Sequence, residues 1–178
     1  MSTLTADPGF NRGQTLGITV KLYEAENGDG STITGTRKTF RDEVPNTGVL
    51  NSNRTVDCIA VKNTSGSALL PGSVAKFKDA AILTEADGLA TTSTALMGIV
   101  DEYLPAAGVP DGEVFWLVIS GPSTVTKTAT SVAAGAAYGL SATAGSAAAQ
   151  STNPLLGYAI ATSATTSGRI LVRTSAGF

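Results

Sequence analysis

The sequence predicts an all-β fold, a compact β-sandwich or β-barrel with an extended N-terminal arm that includes a hairpin. Three observations lead to that class. From about residue 55 onward, β-prone runs alternate with turn formers at intervals of roughly 10–15 residues, a rhythm that suits a sandwich or barrel better than alternating helices and strands. The Ala-rich stretch from Val132 to Gln150 contains Gly135, Gly139 and Gly145, each costing a helix about 0.5–1 kcal/mol relative to alanine. Strong charged and amidic helix formers are nearly absent there, which leaves room for one short helix at most.

Residues 1–55 read as the arm. Gly17-Ile-Thr-Val-Lys-Leu-Tyr23 places Ile18, Val20 and Leu22 on one face, the period of a half-buried strand. Glu24-Ala-Glu-Asn-Gly-Asp-Gly-Ser31 is a loop of residues that tolerate positive φ, and Thr32 to Arg41 is expected to pair back as a hairpin. Val44-Pro45-Asn46-Thr47-Gly48 then breaks the chain. Large apolar side chains are sparse throughout, so the arm must lean on other structure.

Residues 56–178 read as the core domain. Thr55-Val-Asp-Cys-Ile-Ala-Val-Lys62 is a strand, closed by turn chemistry at Asn63-Thr64-Ser65-Gly66. Leu70-Pro71-Gly72-Ser73 has Pro and Gly where a type II turn wants them. Ser73 to Asp79 alternates, with Phe77 inward, and Ala95 to Val100 is a buried strand. Glu113-Val-Phe-Trp-Leu-Val-Ile-Ser120 carries the only tryptophan and is expected to cross the middle of the core. After a break at Gly121-Pro122, further strands are expected at Ser123–Ala129, Ala136–Leu140, Leu155–Ile160 and Arg169–Arg173.

The chain has 178 residues and a mass of 17.9 kDa, one domain plus a modest extension. Its apolar fraction of 42% overstates the core, because 26 of those residues are alanine. Ala, Thr, Gly and Ser fill 87 positions, while charged residues reach only 15%. Such a chain is neither a charged disordered tail nor a nucleic-acid binder. With no histidine, imidazole bases and imidazole metal ligands are excluded. The single cysteine, Cys58, forms no intramolecular disulfide and no thiolate zinc site. The start lacks the basic-then-apolar pattern of a secretory signal, so assembly in a reducing cytoplasm is expected.

Residues 127–178 hold three basic side chains and no carboxylate, and Thr128 to Gly168 passes 41 residues without a formal charge. A membrane span needs about 20 consecutive mainly apolar residues. Here Thr, Ser, Gly, Asn and Pro interrupt every few positions, so no membrane partner is expected and the Gly135-x-x-x-Gly139 match means little.

Each candidate for chemistry has a plainer reading that outweighs it. Cys58 lies in an apolar strand, the place of an inert core thiol. Ser or Thr near Lys62, Lys76, Lys78 or Lys127 could form a hydrolase dyad, but such proximity is expected by chance in a chain so rich in hydroxyls. The carboxylate pairs Glu24/Glu26, Asp42/Glu43 and Asp101/Glu102 read as solvated loop charges. Glu24, Glu26, Asn27 and Asp29 lack the twelfth-position carboxylate of a calcium loop, because Lys38 occupies that place. Gly28-Asp-Gly30 lacks the third glycine of a dinucleotide fingerprint. The sequons at Asn53 and Asn63 read as accidental. No catalytic residue, metal or cofactor is therefore expected. Arg37-Lys-Thr-Phe-Arg41, followed at once by Asp42 and Glu43, fits contact with an acidic protein surface better than nucleic acid.

Asn63-Thr-Ser-Gly66, Leu70-Pro-Gly-Ser-Val74, Met97-Gly-Ile-Val100, Leu156-Gly-Tyr-Ala-Ile160 and the closing Gly168-Arg-Ile-Leu-Val-Arg173 form a recurring series of turns and short strands. On these motifs the segment from about residue 58 to 176 resembles the small all-β capsid decoration (cement) proteins of tailed bacteriophages. Residues 1 to about 55 exceed that pattern. The resemblance implies a non-enzymatic protein, made in the host cytoplasm and located on the outer surface of the head, with the major capsid protein as partner. Folding at this length buries roughly 70% of the chain's surface, but here much of that surface is Ala and Thr, so a lone subunit is marginal. A homotrimer is expected, with a dimer as second choice. Shell contacts are expected from the arm around Phe10, Arg12, Tyr23, Arg37 and Phe40. The rival reading is a phage tail-associated or surface adhesion module that binds a receptor.

Overall fold

In a computed structural model, the residues described are 16–20, 34–45, 47–128 and 131–174. They contain eleven strands and no helix. In chain order these are β1 (Thr19–Val20), β2 (Arg37–Val44), β3 (Val49–Asn63), β4 (Val74–Phe77), β5 (Glu85–Leu89), β6 (Met97–Val100), β7 (Val114–Thr126), β8 (Ala137–Leu140), β9 (Ala147–Ala149), β10 (Leu155–Ala159) and β11 (Ser167–Arg173). The fold is all-β, as the spacing of turn signals predicts.

Pairing closes five strands into a ring. β3 pairs with β5, β5 with β4, β4 with β6, β6 with β7, and β7 back with β3; only β3–β5 is parallel. Closure removes the free edges these short strands would otherwise present. From the ring, β7 continues through antiparallel pairings to β11, β10, β8 and β9. β1 joins β7 and β2 joins β3.

Alternation along β7 explains why its sequence is apolar without interruption. Phe115, Leu117 and Ile119 join Ile59, Val61, Ala75, Phe77, Ala86 and Val100 in one buried cluster, contributed by all five ring strands. Val114, Trp116 and Val118 point to the opposite face. There they pack with Cys58, Val74, Met97 and Ile99 of the ring and with Tyr138, Leu140, Leu156, Ile170 and Val172 of the outer strands. A strand buried on both faces needs large apolar residues at both parities, so Trp116 lies mid-core as expected, as does the inward Phe77.

Several local expectations hold and others change. The type II turn forms, with Gly72 at φ +73° and Ser73 N donating to Leu70 O at 3.1 Å. Asn63 is fully buried and donates its amide to the carbonyls of Ser67 and Val109, both at 2.8 Å, so its sequon is closed to a glycan. Gly121-Pro122 bends β7 without breaking it. Gly121 sits at φ +96°, and a Cβ there would come within 2.3 Å of Thr55 O, so the crossing of β7 over β3 requires glycine. Among the described residues the expected return of Thr32–Arg41 onto residues 17–23 gives way to another pairing, while residues 21–33 lie outside them. β2 runs against β3, with Val44 opposite Val49, while β1 pairs with β7. β3 itself runs unbroken through Thr55–Val56.

Candidate functional site

The β2–β3 hairpin is irregular at one place, and that place organises the surface. Arg41 faces Thr55 and Glu43 faces Leu50, so Asp42 alone stands opposite the four residues Asn51 to Arg54. The bulge turns polar side chains onto Asp42. Its carboxylate, only 2% exposed, accepts from Ser52 Oγ at 2.5 Å and Asn51 Nδ2 at 3.4 Å and is bridged by Arg169 Nη2 from β11.

Arg169 also reaches the loop after β6. Its Nη1 donates to both oxygens of Glu102, at 2.8 and 3.1 Å, and Thr124 Oγ1 of β7 donates to Glu102 Oε2 at 2.5 Å. Asn51 Nδ2 donates to Tyr103 Oη at 2.6 Å. Next to them, fully buried Asp101 accepts from Tyr103 N at 3.0 Å and from Gly17 N at 2.5 Å, which ties down the segment leading into β1. Burial lifts the Asp101 carboxyl to about 6, against the two N–H donors and with help from Glu102. Burial also works against the Arg169 charge, but Glu102 and Asp42 outweigh it and raise its pKa. One guanidinium thus links β2, β11 and the loop after β6. Every carboxylate in it is already engaged, which makes the arrangement a cross-link.

This overturns the reading of Asp42/Glu43 and Asp101/Glu102 as solvated loop charges: Asp42 and Asp101 are buried and Glu102 is paired. Sequence reasoning also passed over Arg169, although a cation in an acid-free third needs a carboxylate from elsewhere in the chain to be buried at all.

Beyond the cross-link the hairpin carries its most exposed apolar residues, Val49 at 59% and Leu50 at 44%. Between the hairpin and the outer strands lies a groove of about 660 Å³. Asn53, Arg54, Thr55 and Asp57 form one wall, Leu171 to Thr174 and Tyr158 the other, and Ile119 to Gly121 the floor. Asp57 accepts from Thr39 Oγ1 at 2.6 Å.

Of the residues expected to touch a shell, Phe10, Arg12 and Tyr23 lie outside the described residues, as does the Glu24–Asp29 cluster. Arg37 is exposed at the start of β2. Phe40 is half-buried, with its ring edge-on to Trp116 at a centroid distance of 5.2 Å and Lys38 Nζ 5.0 Å from its centre, so it anchors β2 to the core. The structure therefore brings Arg37 and Phe40 onto one strand but turns them to different surroundings.

The other candidates are also accounted for. Cys58 is buried, and burial together with Asp101 and Asp57 raises its thiol well above the ordinary range. Lys76 pairs with Asp87 at 3.3 Å, Lys78 with Glu85 at 2.5 Å, and buried Lys127 donates to Ser163 O at 3.3 Å. Among the described residues no cluster of three or more His, Cys, Asp or Glu is placed to hold a metal, and no helix is long and apolar enough to cross a membrane.

Compared with protein families and with curated proteins, the sequence matches none. Among solved structures it is similar to a chain in the capsid of Myoviridae Phage XM1, with 20% identity and a TM-score of 0.48, over 75% of this chain and 92% of that one.

Proposed function

We propose that this chain is a structural protein of a tailed-bacteriophage head, a decoration protein that binds the outer face of the shell and holds neighbouring major capsid subunits together. The observation that carries the reading is the β2–β3 hairpin. It presents Val49 and Leu50 to solvent at its tip, while Arg169 pins its bulge to the core through Asp42. Exposed apolar side chains on a rigid mount are what an interface needs, because little conformational freedom is left to lose on docking. The motif resemblance over residues 58–176 supports the same assignment.

Within this reading the N-terminal arm, with Phe10, Arg12, Tyr23 and Arg37, contributes further shell contacts, and Phe40 serves them by fixing β2. The assembled unit is a homotrimer, in preference to a dimer, because apolar burial between copies supplements a core rich in alanine. The chemistry is binding without catalysis.

The test is to mix the purified protein with expanded, undecorated heads of the cognate virus and, separately, with host cells. Stoichiometric binding to heads and a raised temperature of head disruption are expected, with a trimer mass for the free protein by light scattering. Absence of head binding, or binding to cells instead, contradicts the proposal.

A further inference from the structure

Cross-strand pairing places Thr55 with Arg41 and Asp57 with Thr39. It likewise places Ser120 with Asp57 and Arg173, and Tyr158 with Leu171. Directly paired residues point to the same side of a sheet, so one face continues from β2 to β10 and the groove is cut into it. Arg54, Arg173 and the adjacent Arg41 bring positive charge to both sides, and all three are exposed. The lining sets two arginines, Arg54 and Arg173, against one carboxylate, Asp57, which accepts from Thr39. The β10–β11 wall belongs to the third of the chain that has no carboxylate. Tyr158, 43% exposed, and Leu171 add an apolar patch on the far side of Arg173 from Arg54, on the β10–β11 wall.

We propose that this groove is the docking slot for an extended acidic segment of the shell protein. Carboxylates of that segment meet Arg54 and Arg173 across the groove, and a neighbouring aromatic or aliphatic side chain lies on Tyr158 and Leu171. Charge complementarity selects the occupant: an arginine on each wall, with an apolar patch beside one of them, attracts an anionic peptide and disfavours a basic one. The slot is preorganised, because the Asp42–Arg169–Glu102 cross-link holds the hairpin against β11. The inference rests on the shell-binding reading and adds where the shell is gripped and by what chemistry.

The test compares wild type with the double variant Arg54→Glu/Arg173→Glu in head binding, and titrates the synthetic peptide Glu-Asp-Phe-Asp-Glu into isotope-labelled wild type. Expected results are a loss of head affinity of about tenfold or more in the variant, binding that weakens with salt, and peptide-induced shifts at Thr55, Leu171 and Arg173. Equal head binding by a folded variant overturns the groove while leaving the head assignment standing. If wild type ignores heads but the peptide shifts those three amides, the acidic-segment site stands and the head assignment fails. If the variant does not fold, competition decides: excess peptide must displace wild type from heads, and failure to do so overturns the slot. Preferential binding of a single-stranded oligonucleotide in the groove also overturns it.

Discussion

Asp101 concentrates the electrostatics of the chain in one carboxyl group. It is fully buried, holds Gly17 N and Tyr103 N, and titrates near 6 where an ordinary aspartate titrates at 3.8. The folded protein therefore binds this proton more tightly than the unfolded chain. The stability it contributes is complete below about pH 3.8 and is lost as pH rises through about 6. Asp101→Asn removes that dependence. Relative to wild type the variant gains stability as pH rises from 4 to 7, by roughly 2–3 kcal/mol, read from denaturant unfolding at each pH. A difference that stays flat with pH contradicts the assignment. Nothing in Val100-Asp101-Glu102-Tyr103 marks the first carboxylate as buried. Adjacent acids after a strand ordinarily sit in water, and only the tertiary approach of Gly17 and Arg169 changes that. Cys58 was legible for the opposite reason, because a small polarisable side chain inside an apolar run has one natural place.

At the scale of elements, sequence patterning reached furthest where a strand is long or buried on both faces. β7, β3 and β11 stand out because β-branched and aromatic residues fill them. β5, Glu85–Leu89, does not, because Ala-Asp-Gly inside it reads as a turn and its strand character comes from pairing with β3 and β4. The partner of β2 was misassigned for a related reason: Val44-Pro45-Asn46-Thr47-Gly48 carries break and hairpin chemistry equally, and local sequence does not distinguish them. Little of the candidate site was legible. The groove needs the bend at Gly121, and the cross-link joins Asp42 to a residue 127 positions away. Arg169→Met tests whether that link holds the hairpin. It leaves Asp42 buried without its cation, and the expected cost is about 2–3 kcal/mol, below the range for a fully buried pair because part of Arg169 reaches water. Faster amide exchange confined to residues 41–55 should accompany it. An unchanged unfolding midpoint would show that the hairpin is held by pairing alone.

At the scale of the molecule, the small-residue composition takes on a structural meaning. Ala60, Ala75, Ala86, Ala90, Ala147 and Ala159 are all buried, several at strand positions. They let the ring and the outer strands approach closely, and the strands that need bulk concentrate it in Trp116, Phe115 and Tyr138. Among the large apolar side chains left exposed, Val49 and Leu50 lie on the hairpin tip and Tyr158 lines the groove. The most direct measurement is a density map of the assembled particle. The proposal requires this chain on the outer surface of the head, with Val49 and Leu50 against a shell subunit and the groove between β3 and β11 filled by shell density. Heads with no such density, or a chain bound with the hairpin and groove facing solvent, would contradict it.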